Sequence, residues 1–202
     1  MNVQLSKFRM PIADKKKAIF ESTLELVKEN GFHGTPMSLV AKKAGVAAGT
    51  IYHYFESKEV LILELYHYIQ QQSIEVLKRE DRADIPFQKC FFNLWHGLYT
   101  YYSKNTGIFR FFEQFVNSPY NTGQSEFVKD DFHRLLFQFF ERGIQEGHLR
   151  PISSKILGTL AHSNIISTVK IQVLGGLKLQ NGELEQIPLI LWDGMQNRND
   201  KS

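Results

Sequence analysis

Apolar residues recur at Ile19, Phe20, Leu24 and Val27, the three-to-four spacing of one helix face, and predict a helix from Asp14 to about Asn30. Glu21, Glu25 and Glu29 fall four apart on its polar face, and Gly31 is its stop. Phe32 is expected to pack back onto the helical pair beyond it. That pair is the stretch from Thr35 to Lys58, which reads as two short helices around a tight turn. Thr35 is placed to cap the first through its hydroxyl, Pro36 to take the first helical position, and Leu39, Val40 and Ala44 to form its apolar stripe. Gly45 suits a left-handed turn and Val46 is an apolar plug. Ala47 to Phe55 makes the second helix, with Ile51 and Phe55 four apart on the buried side. Ser57 then caps a long helix reaching about Arg79. Val60, Leu61, Leu63, Leu65, Tyr66 and Ile69 give it more apolar surface than a three-helix unit needs, so it reads as a link to the rest of the chain.

After a break at Glu80–Pro86 the pattern stays helical. Phe91, Leu94, Trp95, Leu98 and Tyr102 are in register from Phe87 to Ser103, and Asn105–Gly107 reads as a turn. Ile108–Val116 is short and rich in Phe, followed by a loop around Pro119. Ser125–Glu146 carries Phe132, Leu135, Leu136, Phe139 and Ile144 in phase, with Gly147 as stop and Pro151 beyond it. Ser154–Leu174 is a further helix, and Gly175, Gly176 and Asn181-Gly182 mark the next turn. The last helix is expected at Pro188–Gln196, beginning at Pro188 because a proline breaks a helix interior. The pattern predicts an all-α fold: a flexible arm 1–11, a helix-turn-helix domain 12–56, a connecting helix 57–80 and a helical domain 81–202.

Two short helices around a glycine turn, the second able to enter a major groove, point to DNA. Ala48 and Gly49 are small enough for close approach to base edges. Thr50, Tyr52, His53 and Lys58 offer hydroxyl, phenol, imidazole and ammonium groups where bases and phosphates would lie, with Lys15, Thr35 and Ser38 as further candidates. Lys15, Lys16 and Lys17 oppose the dipole at a helix N-terminus, which a nearby phosphate would relieve. Charge changes the picture only through its distribution. The net charge of the 202 residues is +3; residues 1–60 hold nine Lys/Arg against six Asp/Glu, and the remainder holds fifteen of each.

Catalytic chemistry is not suggested. Gly-rich phosphate loops, His-Glu-x-x-His and Gly-x-Ser-x-Gly are absent, and the seven His include no pair three or four apart. His133, His148 and His162 could meet in space, though nothing in the sequence requires it. Cys90 is the only cysteine, expected as a buried small hydrophobe. No metal, cofactor or enzymatic activity is therefore expected. With no apolar run of signal-peptide or membrane-spanning length, the expected location is cytoplasmic.

The pattern Ala-x-x-Ala-Gly-Val-x-x-Gly-Thr-x-Tyr-x-Tyr-Phe-x-Ser-Lys, from Ala41 to Lys58, resembles the signature of TetR-type transcriptional regulators. The likeness runs from about Ile12 to Tyr68. It departs at Ala47, where the family usually has Ser or Thr; losing such a cap costs about 0.5–2 kcal/mol. The resemblance implies that residues 81–202 bind a small effector and dimerise. Ligand pockets are mostly apolar, and sixteen Phe are available. Trp95, Tyr99, Phe112, Phe115, His133 and Phe137 are the candidates to line one for an apolar molecule. Leu157, Leu160, Ala161, Asn164, Thr168, Leu189 and Trp192 are the expected dimer contacts, with Gly158, Ser163 and Ser167 permitting close helix approach. The function so implied is a ligand-responsive repressor that binds a palindromic operator as a homodimer. The alternatives are a ligand-independent architectural DNA-binding protein and a helical enzyme or carrier with an incidental hairpin.

Overall fold

The computed structural model describes residues 12–121, 131–175, 179–180 and 182–198. The expected arm 1–11, the first residues of the helix expected from Ser125, and the turn residues Gly176 and Asn181 lie outside them. The described elements are α1 (Ile12–Asn30), α2 (Met37–Lys43), α3 (Ala48–Tyr54), α4 (Lys58–Glu80), α5 (Phe87–Lys104), α6 (Thr106–Val116), α7 (Asp131–Gln145), α8 (Ser154–Leu174) and α9 (Glu183–Met195). An isolated antiparallel bridge joins Leu149 and Gln196.

The chain forms two compact units, and the division differs from the expected one. The first unit takes residues up to Leu65 together with Arg110–Asn121, and the second takes Tyr66–Phe109 and the residues from Thr122 onward. Helix α4, read from the sequence as the link to the rest of the chain, has residues in both units, and most of α6 belongs with the helix-turn-helix.

In the first unit α1 buries Ile19, Phe20, Leu26 and Val27, while Leu24 is only half-buried. Thr23 lies on the buried face because its hydroxyl donates to the Ile19 carbonyl at 2.7 Å. Thr35 does not cap α2: Pro36 holds that position, its carbonyl accepting from Leu39 and Val40 at 3.0 and 3.1 Å. The Thr35 hydroxyl instead donates to the Gly31 carbonyl at 2.7 Å. The buried stripe of α2 is Met37, Val40 and Ala41, with Leu39 half-buried. The turn closes as a Schellman motif: Gly45 is left-handed at φ 66°, Val46 N–H donates to Ala41 at 3.0 Å and Gly45 N–H to Lys42 at 3.3 Å. Ala47 precedes α3 without any side-chain cap. Ser57 does cap α4, its hydroxyl accepting from Val60 N–H at 3.2 Å.

In the second unit α8 packs against α5 and α7, and α9 against α8. Phe87, Phe91, Leu94, Trp95, Leu98, Phe132, Leu136, Phe139, Phe140, Leu157, Ile165 and Val169 are buried there. Cys90 is buried too, its thiol directed at the Arg82 carbonyl 3.1 Å away. Only Asn105 separates α5 from α6, so Gly107, expected in a turn, is helical; Ile108 N–H bonds back to the Asn105 carbonyl at 2.9 Å. Pro188 lies inside α9 rather than at its start. An interior proline forfeits one helix bond at about 3 kcal/mol. Here it sits in the second turn and joins Trp192 and Met195 on the buried face, so packing offsets the loss.

Candidate DNA interface and effector region

The outward face of α3 is set by its inward one. Ile51 and Phe55 are fully buried. That leaves Ala47, Ala48, Gly49 and His53 exposed, Tyr52 54% exposed and Thr50 half-buried. An added Cβ at Gly49 would meet nothing within 4 Å, so the start of α3 is open to an approaching surface. Ser38 is exposed on α2, whereas Thr35 is 2% exposed with its hydroxyl already engaged. That removes Thr35 from the outward set.

The cations divide by partner. Lys15 is half-buried near the start of α1. Lys16 pairs with Glu64 at 2.5 Å and lies over the Phe20 and Phe55 rings. Lys43 pairs with Glu25 at 2.9 Å, which holds its pKa above the ordinary lysine value. Lys58, expected at a phosphate, donates to the Phe32 carbonyl, and burial lowers its pKa. Lys42, which sequence reasoning passed over, is exposed in the last turn of α2 with no ion-pair partner among the described residues. The dipole of a helix C-terminus also favours a cation there.

Comparison with known proteins settles the family. A family model described as "Bacterial regulatory proteins, tetR family" matches residues 19–65, and a "Tetracyclin repressor-like, C-terminal domain" matches residues 86–196. The chain belongs to the TetR family. A fatty acid metabolism regulator protein of Bacillus subtilis is 39% identical over 66 residues, which are 33% of this chain and 34% of the relative. The chain thus spans about a third of that curated relative. A TetR-family transcription regulator from Marinobacter aquaeolei superposes with a TM-score of 0.80 at 25% identity, covering 92% of this chain and 97% of the other. FadR from Bacillus subtilis, in complex with stearoyl-CoA, superposes at 0.72 with 21% identity over 88% of this chain and 95% of its own, a likeness of fold.

The six effector candidates of this TetR-family chain are divided between the two units. Phe112 and Phe115 fall in the first unit, where Phe115 stacks on Phe111 at 5.7 Å. In the second, Trp95 stacks on Tyr99 at 5.4 Å and donates its indole N–H to Asn164 Oδ1 at 2.8 Å, while Tyr99 donates to Gln172. The cavity among Phe91, Leu94, Trp95, Leu136, Phe140, Ala161, His162 and Ile165 measures about 10 Å³, room for about one water. His133 and Phe137 line a separate surface cleft with Arg134 and Lys155. His133 and His162 do meet, at 3.2 Å, and His162 continues to Tyr102 at 3.2 Å and Tyr102 to Ser73 at 3.1 Å. His148 stacks on Phe87 instead, at 5.3 Å. Among the described residues no group of three or more His, Cys, Asp or Glu is placed to hold a metal, and no helix is long and apolar enough to cross a membrane.

The expected dimer contacts split between two faces of α8 and α9. Leu157, Ala161, Thr168 and Trp192 are buried within the unit, and Asn164 is bonded to Trp95. Gly158 also faces inward, since a Cβ there would come within 2.7 Å of the Phe137 ring. The missing side chain of Gly158 therefore makes room for Phe137 and Phe140 of α7, and Ala161 is buried beside it. Leu160, Leu189 and Ile190 are exposed, all on the helices expected to associate, and so is Ile156, which sequence reasoning did not single out.

Proposed function

We propose that this TetR-family chain is a sequence-specific regulator, a ligand-responsive repressor that binds a two-fold-symmetric operator as a homodimer. The observation that carries the reading is the face of α3. It turns Ala48, Gly49, Tyr52 and His53 outward on a helix anchored by two fully buried residues, Ile51 and Phe55. A reader of base edges needs that combination of small residues, polar tips and rigid support. Lys42, Ser38 and Lys15 supply the flanking contacts to phosphates. Lys58 contributes only where its bond to the Phe32 carbonyl opens.

Ile156, Leu160, Leu189 and Ile190 support self-association: four large apolar side chains, each at least 40% exposed, on two adjacent helices. Two such faces make a four-helix contact, and the two α3 helices then serve half-sites about 34–36 Å apart. The effector is a mostly apolar molecule that enters the aromatic core of the second unit. A void of about 10 Å³ means that entry displaces side chains rather than filling a standing pocket. Acyl-CoA is the first class to try, given the stearoyl-CoA bound to the FadR structure. This role needs no catalysis, metal or cofactor, and places the protein with DNA in the cytoplasm.

Selection of duplexes from a random pool, followed by titration at several salt concentrations, tests the reading. A single enriched, two-fold-symmetric sequence whose affinity falls with added acyl-CoA supports every part. Enrichment of no sequence overturns it, and enrichment with no response to acyl-CoA overturns that choice of effector.

A further inference from the structure

The turn between α1 and α2 is held by a residue more than eighty positions away. Helix α1 ends at Gly31, which is left-handed at φ 68°. The last carbonyls of a helix lack intrahelical partners and must find others. One of them, the Val27 carbonyl, accepts from the Gly31 N–H at 3.0 Å and takes a second bond from Gln114, on α6, whose Nε2 donates to it at 3.1 Å. The Oε1 of the same amide accepts from the Phe32 N–H at 2.9 Å. One side chain therefore donates to the backbone on one side of Gly31 and accepts from it on the other. Leu can do neither, Met offers only a weakly accepting sulfur, and a carboxylate can only accept. Gly31 leaves room for this grip, because a Cβ there would stand 3.2 Å from Gln114 Oε1.

The ring of Phe32 is held by the same segment. It lies edge-on to Phe111, three residues before Gln114, at 5.4 Å, and edge-on to Tyr120 at 5.6 Å. Its carbonyl receives Lys58. The next few residues lead directly into α2: Thr35 N–H bonds to the Phe32 carbonyl at 3.2 Å, and Met37 starts the helix. Whatever fixes Phe32 thus fixes where α2 starts, and α2 carries α3 through the tight turn after it.

We infer that Gln114 is a positioning residue for DNA recognition, which pins the α1–α2 corner so that α3 is presented in register. The inference rests on the reading of α3 as the DNA-reading helix. It makes α6 part of the DNA-reading machinery, although the residue contacts no DNA.

The test uses the full chain with Gln114→Met, Gln114→Ala and, as a control on the same segment, the exposed Asn117→Ala. The probes are a duplex selected on the wild-type protein and a scrambled duplex of equal length. Amide exchange at Phe32 is followed by NMR in the unbound protein. In Gln114→Met and Gln114→Ala the Phe32 amide exchanges at least tenfold faster and affinity for the selected duplex falls at least tenfold. Affinity for the scrambled duplex stays within twofold, because no charge has changed, and Asn117→Ala behaves as wild type. Selected-duplex affinity within twofold of wild type in Gln114→Met overturns the inference. Equal losses on both duplexes overturn it as well, since they mean a general loss of structure. An unprotected Phe32 amide in the wild type removes the pin itself. Failure of the wild type to select any duplex overturns the α3 reading and this role with it; protection at Phe32 then locates the fault in the reading.

Discussion

Trp95 donates its indole N–H to Asn164 Oδ1 across the α5–α8 contact at 2.8 Å. The two residues were expected in different places, one lining an effector cavity and the other in a dimer interface. Their bond places both at the α5–α8 contact, with Trp95 buried and Asn164 half-buried. Trp95 is 1% exposed, so Asn164→Leu strands a buried donor and should cost about 1–3 kcal/mol. Trp95→Ala should cost about 3–5 kcal/mol through lost burial and the cavity left behind. Urea unfolding reads both. A loss under about 0.5 kcal/mol for Asn164→Leu would show the pair to be dispensable.

The two faces of α8 predict opposite outcomes for neighbouring leucines. Leu160 is 51% exposed and Leu157 only 1%. Leu160→Glu and Ile190→Glu should each yield a folded monomer by light scattering and circular dichroism. Leu157→Glu should fail to fold, because burying an unpaired carboxylate costs several kcal/mol. A dimer that survives both surface substitutions moves the association elsewhere.

Tyr101 predicts a stabilising substitution. Its hydroxyl is buried with no hydrogen-bond partner among the described residues, and burial, with the Tyr102 and Tyr68 phenols nearby, pushes its pKa well above the ordinary value near 10. Removing an unsatisfied buried group should be neutral or favourable, so Tyr101→Phe is expected to gain up to about 1 kcal/mol. The pH dependence has a definite sign. The unfolded chain ionises this tyrosine near pH 10 while the folded protein holds the proton, so stability is complete below that pH and declines above it. Tyr101→Phe should shallow that alkaline decline in thermal melts between pH 9 and 11. A steeper decline would mean the hydroxyl has a partner in solution.

Local signals made much of the fold legible. Ser154–Leu174 is the helix expected from its pattern, and Gly45 takes the left-handed turn its position required. Errors arose where tertiary contact overrides a local rule. Pro188 stays inside α9 because its ring completes the buried face with Trp192 and Met195. Gly107 is helical because Asn105 alone makes the break. The sequence did not separate the two faces of α8, because Leu157, which is buried, and Leu160, which is exposed, are equally apolar. Gln114 could not have been found at all. Its partners Val27 and Phe32 are 87 and 82 residues away, and nothing in Phe-Phe-Glu-Gln-Phe distinguishes an amide that grips backbone from one that faces water.

The central claim is that the exposed start of α3 reads DNA, and Gly49→Glu tests it most directly. No atom lies within 4 Å of the added Cβ, so the variant should fold and melt as wild type does. A carboxylate at that point meets the phosphates and base edges of any duplex in the groove. Affinity for the duplex selected on the wild-type protein should fall by at least a hundredfold, with the melting temperature unchanged. A folded Gly49→Glu protein that binds that duplex as tightly as wild type would contradict the account.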